Sequence, residues 1–76
     1  MTTAQKQRDL AQRIREKREQ RGLSQNDLAL RMHRTRPTIA DIEHLRRQVT
    51  ALELVELSEI FHCTMDYLIY GGEKET

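Results

Sequence analysis

Apolar residues recur at intervals of three and four along most of the chain, and nowhere do they alternate with polar ones as in a strand. The pattern predicts an all-α fold of five helices with short joints. The first runs from about Ala4 to Arg21, with Thr3 as N-cap and Leu10, Ala11 and Ile14 on one face. Gly22 ends it as a left-handed residue. The second starts at Ser24, with Asp27 completing a capping box and Leu28, Ala29 and Met32 facing inward. His33-Arg34 is the joint. Thr35 caps the third helix, and Pro37 falls in its first turn, where a missing N–H costs nothing. Ile39 and Ile42 point inward, and the helix ends near His44 or Leu45. After the polar stretch Arg46-Arg47-Gln48, Thr50 and Glu53 form a second capping box. The fourth helix then buries Leu54, Leu57, Ser58 and Phe61. Thr64 caps a short fifth helix, Met65 to about Tyr70, which Gly71-Gly72 stops. Residues 72–76 are expected to form a flexible tail.

Two segments echo each other. Met32-His33-Arg34-Thr35 and Phe61-His62-Cys63-Thr64 share the order apolar, His, any residue, Thr. In each, the apolar residue closes one helix and the threonine caps the next. The histidine sits where the backbone turns sharply, which predicts a positive φ. His33 and His62 are therefore turn residues, not ligands or catalytic groups.

With 76 residues the chain is expected to be a single domain, residues 1–76. A core this small supplies roughly 3–5 kcal/mol, so close helix packing or a second subunit must help. Cys63 has no cysteine partner, which excludes an internal disulfide and suits a reducing compartment. Cys63, His33, His44 and His62 show no finger-like spacing, so no metal is expected. The polar start and the lack of a long apolar stretch predict a cytoplasmic protein with no membrane contact. There is no Ser/His/Asp arrangement, glycine-rich phosphate loop or paired carboxylate set, so neither an enzyme nor a cofactor or small-molecule ligand is expected.

The net charge of +1 hides an asymmetry. Residues 1–47 hold 12 Lys/Arg against 6 Asp/Glu, a balance of +6, whereas residues 48–76 hold 1 against 6, a balance of −5. A basic half beside an acidic half suits a polyanion on one face only.

The segment most informative about function runs from Gln25 to Glu43. Two short helices meet through about three residues, and the small Ala29 lets the second cross closely. Burying Ile39 and Ile42 leaves Arg36, Pro37, Thr38 and Asp41 on the opposite face. This is the geometry in which a helix presents its N-terminal residues to a DNA major groove, so a helix-turn-helix is expected over residues 25–44.

The strings Ile14-Arg15-Glu16-Lys17-Arg18, Arg21-Gly22-Leu23-Ser24-Gln25, Asp27-Leu28-Ala29, Thr38-Ile39-Ala40-Asp41-Ile42-Glu43 and Asp66-Tyr67-Leu68 occur in that order. Together they resemble the lambda-repressor-like (Cro/cI, XRE-type) helix-turn-helix family, over Leu10 to Gly71. The resemblance implies the five-helix fold and a dimeric regulator that reads a palindromic operator in double-stranded DNA. It leaves open a restriction–modification controller, a phage-type repressor or an antitoxin-type regulator, all cytoplasmic, nucleoid-associated proteins of bacterial or phage type. The alternative is a protein-interaction adaptor of the same fold that has lost DNA binding.

Residue by residue, the resemblance implies that Arg36, Thr38 and Asp41 read bases. Arginine's planar fork suits guanine, and Asp41 either accepts from cytosine or orients a nearby arginine. Gln25, Arg34, Thr35, Arg46 and Arg47 fall to the DNA backbone. Arg18 and Glu43 match a structural salt bridge, and Leu52, Met65, Tyr67, Ile69 and Tyr70 a twofold interface. Met65 and Leu68 are also expected in the core. Arg8, Arg13 and Lys17 are expected on a solvated face, and Cys63 as a small packing residue. His33, His62 and Leu45 stand where the family commonly has glycine, and Val49 where it has proline. These departures predict a divergent loop between Leu45 and Thr50 and a third helix longer than usual.

Overall fold

A computed structural model describes residues 2–72. Among the described residues there are five helices and no strand: α1 (Thr3–Gln20), α2 (Gln25–Arg31), α3 (Arg36–Glu43), α4 (Ala51–Phe61) and α5 (Met65–Tyr70). Apart from Gly72, the expected tail lies outside the described residues.

Side-chain caps set most of the starts. Ser24 with Asp27, and Thr50 with Glu53, form reciprocal capping boxes, and the Thr64 hydroxyl accepts from the Tyr67 N–H. Two starts depart from expectation. Thr2, not Thr3, caps α1, its hydroxyl accepting from the Gln5 N–H at 3.1 Å. Thr35 occupies the N-cap of α3 without a side-chain cap bond. The Thr38 N–H instead goes to the Thr35 carbonyl at 3.0 Å, and the two threonine hydroxyls lie 3.1 Å apart.

The first four helices end in the same motif. After α1 the Leu23 N–H reaches back to the Arg18 carbonyl and the Gly22 N–H to Glu19. The matching pairs are Arg34 to Ala29 and His33 to Leu30 after α2, Arg46 to Asp41 and Leu45 to Ile42 after α3, and Cys63 to Ser58 and His62 to Glu59 after α4. This double closure is the Schellman arrangement, which requires a left-handed residue just past the helix. Gly22, His33, Leu45 and His62 fill that place, with φ of 69°, 56°, 64° and 54°. His33 and His62 are the turn residues that the sequence predicts. Leu45 corrects the expectation of a longer third helix: α3 stops at Glu43 because Leu45 adopts the conformation glycine usually supplies.

The core is Ile14, Leu28, Ala29, Met32, Ile39, Ile42, Leu57, Phe61 and Leu68. Leu10, Leu23, Val49, Leu54, Ile60, Cys63 and Tyr67 pack around it. α3 packs on α2 and α1, and α5 on α1 and α4. Two core expectations are corrected. The buried stripe of α4 is Glu53, Leu57 and Phe61, while Leu54 and Ser58 are half-buried. Met65 is exposed, because Leu68 alone of the α5 side chains is turned fully inward.

α1 binds the C-terminal half with its cations, so two of the residues expected on a solvated face are structural. Arg13 donates from Nη1 to the Leu68 and Ile69 carbonyls at 3.2 and 3.0 Å. One turn on, Lys17 is 3% exposed, with Nζ 5.0 Å from the Tyr67 ring centre. A further turn on, Arg21 donates from Nη2 to the Phe61 carbonyl at 2.6 Å. Cations at helix C-termini meet carbonyls that lack intrahelical partners. Gly71, with φ of 71°, lets α5 end against Arg13: a Cβ there would lie 2.5 Å from its Nη2. Arg8 is exposed, as expected. No described helix is long and apolar enough to cross a membrane.

Candidate nucleic-acid interface

The site is built on α2, the joint 32–35, α3 and the loop to α4. Ile39 and Ile42 are buried beneath α3. Arg36 and Pro37, at its start, are exposed, and Thr38 and Asp41 are half-buried. Arg36 has no hydrogen-bond or ion-pair partner among the described residues, so its guanidinium keeps its full set of donors toward solvent.

Most of the other residues assigned to DNA are tethered to a carboxylate. Gln25 donates from Nε2 to Glu43 Oε1 at 3.1 Å. The same carboxylate receives Arg18 through Nε at 2.7 Å and Nη2 at 3.2 Å, and Arg18 also donates to the Leu23 carbonyl. Its bonds to Glu43 raise the pKa of Arg18, against the opposing pull of its burial. The start of α2, the end of α3 and the body of α1 therefore share one polar joint. Arg46 donates from Nε to Asp41 Oδ1 at 2.9 Å, the arginine exposed and the aspartate half-buried. Asp41, expected either to accept from cytosine or to orient a nearby arginine, thus lies beside Arg46 at the end of α3.

Arg34 and Arg47 converge on Glu53, whose side chain is 0% exposed. Arg47 donates from Nη2 to Oε2 at 2.7 Å and from Nη1 to Oε1 at 2.9 Å. Arg34 donates from Nε to Oε2 at 3.0 Å, and the Thr50 N–H to Oε1 at 2.9 Å. These donors, Arg47 foremost, hold the Glu53 carboxyl at about 2 against the opposing effect of its burial. Glu53 in turn raises the pKa of Arg47. The sequence shows Glu53 only as a capping-box residue. Its second role depends on two arginines that folding brings to it from 19 and 6 positions away.

Among the described residues no group of three or more His, Cys, Asp or Glu is placed to hold a metal. Cys63 is half-buried beside Lys17 and Arg21, and burial pushes its thiol pKa up despite those cations.

Five helices in this order, with α2 and α3 forming a helix-turn-helix, define the lambda-repressor-like DNA-binding fold. A family model described as helix-turn-helix matches residues 14–68, and the chain belongs to that family, whose XRE type includes the lambda-repressor-like proteins. The chain is similar to the P22 c2 repressor protein, solved in complex with synthetic operator 9T. The two share 25% sequence identity with a TM-score of 0.76, over 83% of this chain and 96% of that one. Among curated proteins none matches. Family and fold are those of DNA-binding transcription regulators.

Proposed function

We propose that the chain is a sequence-specific transcription regulator that binds an imperfectly palindromic operator as a homodimer. The observation that carries this reading is Arg36. It stands exposed at the start of α3, without a partner among the described residues, on a helix anchored by the buried Ile39 and Ile42. A guanidinium so placed enters the major groove, where it bonds guanine O6 and N7. Thr38 contacts a phosphate or a thymine methyl beside it. Asp41 acts chiefly through Arg46, since a carboxylate among phosphates is repelled unless paired. Gln25, Arg34, Thr35, Arg46 and Arg47 flank α3 and meet the backbone. The P22 c2 repressor's complex with an operator supports the same reading.

Dimerisation rests on apolar surface left uncovered on α4 and α5, which pack together. Leu52 is 78% exposed, Tyr70 58% and Met65 42%, and Ile69 is half-buried. Tyr67 contributes less, since its ring packs on the core under Lys17. Principal extents of 30 × 27 × 20 Å suit two copies side by side, with recognition helices about one DNA turn, ~34 Å, apart.

Retention on random-sequence duplex DNA at low salt, followed by a salt gradient, tests the reading. A regulator is retained and released steeply as salt rises, because bound cations displace counterions. Passage through the column without salt-dependent retention contradicts it.

A further inference from the structure

Glu53 lies outside the helix-turn-helix, yet it binds the segments on both sides of α3. Arg34 precedes the first residue of α3 by two positions, and Arg47 follows the last by four. Both reach the same carboxylate, which is wholly buried at the start of α4. A capping box needs one carboxylate oxygen for the N-cap N–H, and Oε1 meets that need by accepting from Thr50. The three further bonds from Arg34 and Arg47 exceed what capping requires.

Each arginine is engaged through different atoms. Arg47 uses both terminal nitrogens on Glu53, and Nη1 also donates to the Gln48 carbonyl at 3.2 Å. Arg34 uses only Nε, so its two terminal nitrogens have no partner among the described residues. Its side chain stays 38% exposed and that of Arg47 35%. Two guanidiniums on one carboxylate leave the group a net positive charge. A long arginine side chain loses much rotamer freedom when it is fixed. Here the loss occurs on folding, before any ligand arrives.

We propose that Glu53 is a positioning residue of the DNA interface: one buried carboxylate fixes both flanks of the recognition helix and holds the free fork of Arg34 outward for a phosphate. The proposal rests on the DNA-binding reading above and adds that an acidic side chain at the start of α4, outside the helix-turn-helix, strengthens binding to a polyanion. A simple count of charges predicts the reverse, because removing a negative charge near DNA should tighten binding.

The test measures duplex affinity against salt concentration for the wild-type chain, E53Q, R34A and the double variant. Glutamine at this place can still cap α4 but cannot hold two guanidiniums. The expected result is that folded E53Q binds about tenfold more weakly than wild type, the effect of losing a charge-assisted hydrogen bond, and that its salt slope falls by about one. In the R34A background the same substitution has a much smaller effect, since its target is gone. Circular dichroism reports whether E53Q is folded. If it is not, R34K carries the test: lysine keeps the charge at a partly exposed place, but cannot bond Glu53 and offer a fork together. R34K is then expected to bind about fivefold more weakly. Folded E53Q that binds as tightly as wild type or tighter overturns the proposal, as does R34K at wild-type affinity. Wild-type chain with no salt-dependent retention contradicts the DNA-binding reading itself. Wild-type retention with an inert E53Q contradicts the positioning role alone.

Discussion

Arg18 and Glu43 form a two-pronged ion pair between α1 and α3, with Nε to Oε2 at 2.7 Å and Nη2 to Oε1 at 3.2 Å. Their side chains are only 11% and 3% exposed, so removing either leaves the other charged and poorly solvated. Arg18→Ala should therefore lower unfolding free energy by about 3–5 kcal/mol, read by urea denaturation. Arg15→Ala, on an exposed pair with Glu19, serves as the control and should change stability by less than about 0.5 kcal/mol. Equal effects from the two variants would refute a structural role for the Arg18–Glu43 joint.

Stability should fall in acid through Glu53. Its carboxyl titrates at about 2 in the folded chain, against 4.5 when free. As pH drops, the unfolded chain takes up the proton first. The contribution of Glu53, roughly 3 kcal/mol, is thus complete above about pH 5 and is lost progressively toward pH 2. Denaturation of wild type and E53Q at a series of pH values checks this: the two curves should converge as pH falls. A constant gap across the acid range would assign the effect to packing.

The four helix ends offer a matched pair of substitutions. His62 is exposed and holds φ of 54°, where a side chain costs about 1–2 kcal/mol. Against that stands the entropy that glycine adds to the unfolded chain, about 0.4–1 kcal/mol. His62→Gly should gain about 0.5 kcal/mol on this balance, whereas Gly22→Ala, at φ of 69°, should lose about 1 kcal/mol. Thermal melts of the two variants should move in opposite directions. A shift in the same direction would contradict the shared Schellman geometry.

The proposed homodimer depends on apolar groups that the described residues leave open. Leu52→Glu adds a charge at a place 78% exposed, so the monomer fold should be untouched. Sedimentation should show wild type as a dimer and the variant as a monomer, with operator affinity reduced accordingly. A wild-type monomer at micromolar concentration would remove this part of the account.

The helices were legible because their signals are local. Periodicity placed Ile39 and Ile42 inside, and Ser24, Thr50 and Thr64 marked three starts. His33 and His62 were recognisable as turn residues from the repeated apolar–His–x–Thr order. Leu45 was not, because leucine seldom accepts a left-handed backbone, and only the closing bond from the Arg46 N–H to Asp41 shows that it must. Charge was the least legible property. The split into a basic and an acidic half treats each cation as free, but Arg13, Lys17 and Arg21 are occupied with α4 and α5. Arg34 and Arg47 share an acid from the other half. Such pairings depend on which helix faces cross, and no spacing along the chain records that. Among the described residues, Arg36 is a cation of α3 that this network leaves without a partner.

The most direct test is selection of bound duplexes from a random pool, by wild type and by Arg36→Ala in parallel. Wild type should select an imperfect palindrome with half-sites about one helical turn apart. The variant should select the same site without preference at one base pair in each half, and bind it about 1–3 kcal/mol more weakly. Selection of an identical site by Arg36→Ala, at undiminished affinity, would contradict the assignment of α3 as the reading helix.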